Sequence, residues 1–348
     1  MSTSICFFNN KGGVGKTTLT CNVASYLALK HGKKVLLIDA DPQCNATQYI
    51  LSQETYEEIL EEKKHHTIMD IINPIKGGGA TINLDVQPIP GSDNRFGIDI
   101  LAGHPRFSLF EDKLSKSWLD MNNDVGSLRI TNWCYRLSNH FKDNYDVIIY
   151  DVGPSLGAIN RTILIGCDFF ITPMGCDTFS MMGVSNISEW LSAWVNLYSM
   201  NYKYISTNEE ELVNQHHNDI LNDLGSQCRF LGYTVQLYIP TRSTKKGIRP
   251  TKAFEAILEK IPNKVIGELS PFVPEKLSLS NLNLGQVPHL FSLVPMAQAA
   301  NAPIFMLDSK DGLNGSQYSQ QRAYISILKE IAANLLRNVE VGTQYEAL

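Results

Sequence analysis

Two lysines, two threonines and three glycines fall within ten residues of this 348-residue chain, Asn9-Asn10-Lys11-Gly12-Gly13-Val14-Gly15-Lys16-Thr17-Thr18. An apolar run, Ile5 to Phe8, precedes the stretch and an apolar helical period follows it, so it reads as strand, tight turn and helix. Glycines 12, 13 and 15 let the backbone curl with its N–H groups inward. The positive end of a helix starting near Lys16 adds to them, which makes a phosphate cradle. Lys16 is placed to reach the β- and γ-phosphates of a nucleotide, and Thr17 to ligate magnesium. A plain strand–helix connection needs no such set of cations and hydroxyls. The pattern G-x-x-x-x-G-K-[ST] departs at its first position, Asn10, and a second lysine, Lys11, fills the next.

Acids follow at the ends of apolar runs. Val35-Leu36-Leu37-Ile38 reads as a buried parallel strand and leads into Asp39-Ala40-Asp41-Pro42-Gln43-Cys44-Asn45-Ala46-Thr47. Two carboxylates thus emerge at the carboxyl edge of a sheet, where open α/β folds place their ligands. Alone they would be solvated loop acids; one helix beyond a phosphate turn they are candidates for chemistry. A third acid, Asp151, ends the apolar strand at 146–151.

In this order, the turn KGGVGKTT, the segment at 39–47 and the strand ending at Asp151 resemble the ParA/MinD family of P-loop ATPases, which carry a deviant Walker A loop, and within it the ParA/Soj-type partition ATPases. Residues 151–157, DVGPSLG, are similar to the family's D-x-P-P-S-L-G switch, with Gly153 in place of the first proline, which loosens that turn. Residues 173–183, PMGCDTFSMMG, are similar to its P-x-x-x-(D/E)-x-x-(S/A)-x-x-G segment. The resemblance implies ATP and Mg2+ as cofactors, bound by Gly12, Gly13, Val14, Gly15, Lys16, Thr17 and Thr18, with Pro303 in the segment at 295–306 that walls the adenine. It implies that Thr17 ligates the metal, that Asp39 supports its shell and that Asp151 is its outer-sphere carboxylate. Lys11, Lys16 and Asp41 are the implied catalytic set, Asp41 orienting the attacking water. A homodimer is expected to assemble on ATP, with Lys11 of each subunit reaching the other's nucleotide. Hydrolysis is expected to be slow until a partner protein, ParB-like or a cargo adaptor, stimulates it.

A formal charge of −5 and 43% apolar content describe a chain that buries a large core and is not coated in basic residues. Nucleic-acid contact therefore needs a local patch. One lies at 240–252, where Arg242, Lys245, Lys246, Arg249 and Lys252 occur without an acid. On a loop and at the start of a helix, these residues could hold DNA in a salt-sensitive way that ignores base identity. A solvated basic loop is the equal alternative, and Arg242 turned to the nucleotide a third. No run reaches the roughly 18 apolar residues of a membrane span, and the N-terminus enters a strand at once, unlike a signal peptide. The closing helix ends in Glu340 and Glu346 without the lysine cluster of MinD-type membrane helices, so no membrane partner is expected. The chain is expected in the cytoplasm, at the nucleoid when it holds DNA. The seven cysteines form no C-x-x-C pair and read as buried hydrophobes, and His65-His66 as surface histidines.

The elements that must position these residues alternate. Leu19, Val23 and Leu27 mark a helix closing at Gly32, and strands are read at 98–101, 168–172 and 230–238 besides those above. Helices are read at 54–64, 68–72, from 108, and at 179–198, 209–224 and 317–337. The expectation is a single P-loop ATPase domain over 1–348, α/β, with a mostly parallel twisted sheet flanked by helices and two mostly helical elaborations at about 52–97 and 199–229. With the phosphate turn near residue 9, the N-terminal sequence-specific DNA-binding domain of the longer plasmid partition ATPases is not expected. A nitrogenase-reductase-like carrier would need cluster cysteines that Cys134 and Cys167 do not match, and an Mrp-type iron–sulfur scaffold would need a C-x-x-C. The expected function is a partition or cargo-positioning ATPase with non-specific DNA binding. Its alternative is a regulatory ATPase switch that binds a protein and no DNA.

Overall fold

Runs such as Val147-Ile148-Ile149 are apolar without alternation, the pattern of strands covered on both faces. The computed structural model, which describes residues 2–62, 64–238, 240–243, 247–250 and 252–344, joins them in one parallel sheet. Its strands are β1 (Thr3–Phe7), β2 (Val35–Asp39), β3 (Asp99–Leu101), β4 (Val147–Asp151), β5 (Phe169–Gly175), β6 (Arg229–Tyr238) and β9 (Asn283–Pro288), in the order β3-β2-β4-β1-β5-β6-β9. Strands β1, β2, β4 and β5 are buried along their whole length. Crossovers run to both sides of β1, with β4 inserted between β1 and β2, and strand ends at such a switch point open a crevice for ligands. Register then sets the chemistry: Phe7, the last residue of β1, and Asp39, the last of β2, both lie opposite Asp151.

Helices cover the sheet. Helix α1 (Lys16–His31) buries Leu19, Val23 and Leu27 and ends at Gly32, as its apolar spacing predicts. The closing helix, Gln317–Thr343, runs two turns past the expected end and buries Tyr324, Leu328, Ile331 and Leu335. The helix read at 179–198 continues to span Thr178–Asn208, because neither glycine nor proline occurs between Val184 and Asn208 to stop it.

Other expectations need correction. The helix read at 209–224 covers only Glu210–Gln215, since Asp219 turns away to pair with Arg129 and Arg136, both at 2.9 Å. Of the elaboration at 52–97, the first part is helical (Gln53–Glu57, continuing as a π-turn at Glu58–Glu62, then Ile68–Lys76). The remainder is irregular chain that packs into the core through Ile82, Val86, Ile89 and Phe96. Strand β9 has no counterpart in the sequence-based reading. The basic segment read as a loop is a two-stranded antiparallel ribbon, β7 (Pro240–Ser243) with β8 (Gly247–Pro250), in which β-branched Thr241 and Ile248 favour strand. All seven cysteines are buried and free.

Candidate nucleotide site

The turn between β1 and α1 is built by local rules. Gly13 and Gly15 take φ of 74° and 73°, the left-handed region that favours glycine, and a Cβ on Gly15 would also stand 2.9 Å from Gln236 Oε1. Asn9 anchors the start, its Nδ2 donating to Pro173 O at 2.6 Å and its Oδ1 accepting from Lys11 N at 2.8 Å. The two lysines are treated differently. Lys16 is buried, donating to Val152 O and lying 3.5 Å from Asp151 Oδ1. Lys11 is more than a third exposed and pairs at 2.7 Å with Asp177, the capping residue of the helix Thr178–Asn208.

The acids converge on the same edge with distinct partners. Thr17 Oγ1 donates to Asp151 Oδ2 at 2.7 Å. Asp39 accepts from Thr47 N and Oγ1 at 2.8 and 2.7 Å and from Asp41 N at 3.2 Å, while Gly103 N donates to Thr47 Oγ1 at 2.8 Å. Burial, then the neighbouring Asp151 charge, pushes the Asp39 carboxyl up to about 7, against the bonds from Thr47. Burial likewise raises Asp151, opposed by the Lys16 charge and the Thr17 hydroxyl. Among the described residues, no three histidine, cysteine or acidic side chains are arranged as a metal-ligand set. The residues of this edge that could hold a metal are the Thr17 hydroxyl and the Asp151 carboxylate it bonds. Asp39 sits with Thr47 and does not touch Thr17.

The second loop, after β4, is pinned from behind. Asn160 Nδ2 donates to Gly153 O at 2.7 Å and to Ser155 O at 2.8 Å. Glu111 accepts from the N–H groups of Ala158 and Ile159, the first residues of the helix Ala158–Gly166. Asp41, nearly buried, accepts from Gln43 N at 3.0 Å and lies against Gly153.

A cavity of about 320 Å³ lies over the turn, lined by residues 11–18 together with Asp41, Gln43, Pro154 and Gln298. Of the residues chosen from the sequence, the structure thus groups Lys11 to Thr18, Asp41 and, through Thr17, Asp151. Pro303 lines neither this cavity nor the next; it is buried ahead of the turn Ile304–Met306. Beside Gly13, Gly15 and Thr18, a second recess of about 190 Å³ is walled by Gln236, Pro288, Leu290, Phe291, Val294 and Tyr324. Its apolar walls suit a nucleobase. Proline after a short apolar–polar run was the one signal for it, and it depends on β9. In the basic segment, Arg242 lies opposite Ile248, Arg249 opposite Thr241, and Lys252 opens the helix Lys252–Leu258. Lys245 and Lys246 lie outside the described residues.

A phosphate cradle at the switch point of a parallel sheet, flanked by acids at two strand ends, defines a P-loop nucleotide-binding protein of the α/β class. A family model described as an AAA domain matches residues 2–200, more than half of the chain. The sporulation initiation inhibitor protein Soj of Bacillus subtilis is 32% identical over 193 residues, 54% of this chain and 64% of Soj. The virulence plasmid ParA family protein pGP5-D of Chlamydia psittaci is 30% identical over 191 residues, 54% of this chain and 63% of that protein. The match thus spans just under two thirds of these relatives' own length. The crystal structure of protein DIP2308 from Corynebacterium diphtheriae has a TM-score of 0.74 at 32% identity, covering 97% of this chain and 99% of that one. The structure of pNOB8 ParA bound to nonspecific DNA shares the fold, with a TM-score of 0.54 at 19% identity over 98% and 99% of the two chains. The chain belongs to the ParA/MinD family of P-loop ATPases.

Proposed function

We propose that the chain is a ParA-type ATPase that binds ATP with Mg2+, closes into a dimer around two nucleotides and binds DNA without sequence preference in that state. Hydrolysis on stimulation by a partner protein, ParB-like or a cargo adaptor, then serves to segregate or position DNA or another cargo. One observation carries the reading: a single turn holds a buried lysine, Lys16, that lines the cavity over the turn, and a more exposed one, Lys11, that pairs with Asp177 and lies over the Phe179 ring. The first serves the subunit's own triphosphate. The second is free to swing outward once its carboxylate partner is exchanged for a phosphate.

Lys16 and the inward N–H groups of residues 12–17 bind and orient the phosphates, their positive ends placed where charge accumulates on the leaving group. Magnesium, held by Thr17 with Asp151 behind it, would when bound supply charge neutralisation at the phosphates. Asp41 projects into the cavity and orients the attacking water by accepting its hydrogen bond. Lys11 from the opposite subunit adds a cation at the γ-phosphate. DNA binding rests on the basic segment at 240–252, and pNOB8 ParA, of the same fold, was solved on nonspecific DNA.

Gel filtration with ATP and Mg2+ tests the scheme. Asp41→Ala is expected to accumulate as an ATP dimer and Lys16→Ala to stay monomeric without nucleotide; an Asp41→Ala protein that binds ATP yet remains monomeric contradicts it. Replacing Arg242, Lys245, Lys246 and Arg249 together is expected to abolish DNA retention and spare ATP binding.

A further inference from the structure

The helix Thr178–Asn208 has two apolar faces, and only one of them belongs to the core. That face buries Val184, Ile187, Leu191, Trp194, Tyr198 and Ile205. Turned away from it, Ala193, Leu197, Met200 and Tyr204 recur at intervals of four and three residues, the spacing of a coiled-coil seam. All four are exposed, Leu197 by 39%, Met200 by 72% and Tyr204 by 58%. Phe179 and Met182 are exposed as well, but they lie at the nucleotide end of the helix, where Lys11 sits over the Phe179 ring. The seam at 193–204 begins about 16 Å further along the helix axis than Met182 and is separate from that site.

The charges beside the seam say what fits it. Glu189, Asn196 and Lys203 are exposed and stand seven residues apart, so they share one edge of the seam. Neither Glu189 nor Lys203 makes an ion pair among the described residues. An acid and a base placed symmetrically about Asn196 complement a second copy of the same helix laid antiparallel, with a twofold axis at Asn196. Each Glu189 then meets the other copy's Lys203, and the two Leu197 side chains meet near the axis. A parallel pair would set Glu189 on Glu189 and Lys203 on Lys203. We propose that this face is an interface between two copies of the chain, paired antiparallel along 189–204. It needs no nucleotide and is independent of the ATPase reading. The seam offers roughly 400 Å² of apolar side chain per copy, below the ~800 Å² per partner of a standard interface, so the contact is weak, with a dissociation constant on the order of 100 μM.

Sedimentation equilibrium of the full chain without nucleotide tests it. The parent chain should dimerise reversibly in that concentration range, less well as salt rises. Lys203→Glu sets acid against acid at both ends of the contact and should weaken the dimer about tenfold or more, as should Glu189→Lys with base against base. The double variant Glu189→Lys/Lys203→Glu should restore the parent's affinity, a rescue that a loss of folding in either single variant could not produce. Met200→Glu should abolish the dimer, and since all three side chains are exposed the melting temperatures should match the parent's. A parent chain that stays monomeric at millimolar concentration overturns the proposal and leaves the seam to a helix of another protein. A double variant that pairs no better than the single ones overturns it too.

Discussion

Asp177 decides whether Lys11 is held at home. Its carboxylate accepts from Lys11 Nζ at 2.7 Å and from Ser180 N at 2.9 Å. Burial pushes its pKa up, but the bonds from Lys11 and Ser180 outweigh that and hold it below its ordinary value, so it is charged at neutral pH. For Lys11 to reach a second subunit's nucleotide, this pair must break. The side chains are 38% and 36% exposed, so water screens the attraction, and a pair of this kind is worth about 0.2–1 kcal/mol. A dimer breaks two, so about 0.4–2 kcal/mol opposes association, and removing the acid's charge should tighten the ATP dimer about 2- to 30-fold. Asparagine is the substitution of choice because it caps a helix as well as aspartate does, whereas alanine would also cost about 1 kcal/mol of cap.

The measurement is the dimer dissociation constant by analytical ultracentrifugation with ATP and Mg2+, comparing Asp41→Ala with Asp41→Ala/Asp177→Asn. Tightening should fade as salt rises, since salt screens the exposed pair in the parent protein. A double variant that dimerises no better than the parent, at low salt, would falsify the latch: either Lys11 stays on Asp177 in the dimer, or Asp177 makes contacts of its own there.

Two further changes probe the acids and the second loop. Asp39, raised to about 7, takes up a proton more readily in the folded protein than in the unfolded chain, whose value lies near 3.8. The fold is therefore destabilised as pH climbs between these values. The melting temperature of the parent protein should fall between pH 4 and pH 8 from this group, the loss of stability being bounded at about 4 kcal/mol; a flat profile over that range would contradict the burial argument. Asn160→Ala removes the bonds to Gly153 O and Ser155 O and should cost about 1–3 kcal/mol in denaturant unfolding, with faster amide exchange at 153–157 than in the parent.

What the sequence disclosed follows the range of the interactions. The phosphate turn was legible because cradle, lysine and helix start are neighbours in the chain, and Asp39 and Asp151 because acids at the ends of parallel strands must share an edge. The Lys11–Asp177 pair joins residues 166 apart in sequence, and Thr47 reaches Gly103 across 56, so no local pattern announces either. Strand β9 escaped because Asn283, Gly285 and Gln286 leave only Leu284 and Val287 as an apolar signal. With β9 unseen, the apolar recess behind Pro288 had no place in the reading, which looked for an adenine wall only at 295–306. The ribbon at 240–250 was missed for the opposite reason. Its charges drew attention to solvent, while pairing between two short segments decides its backbone.

Gly153 shows how a departure from a family pattern can be compensated within the same site. A Cβ at this position would stand 3.1 Å from Asp41 Oδ1, closer than carbon and oxygen ordinarily approach, so a proline ring would push the carboxylate away. Glycine lets Asp41 close against the second loop, and the stiffness a proline would confer has to come from elsewhere. Asn160 supplies it by holding Gly153 O and Ser155 O together, and Glu111 fixes the helix start at Ala158. The loop after β2 and the loop after β4 therefore meet at one contact, with the rigidity behind it. Movement of either loop toward the other would be felt through this contact, since even a Cβ on Gly153 would crowd Asp41.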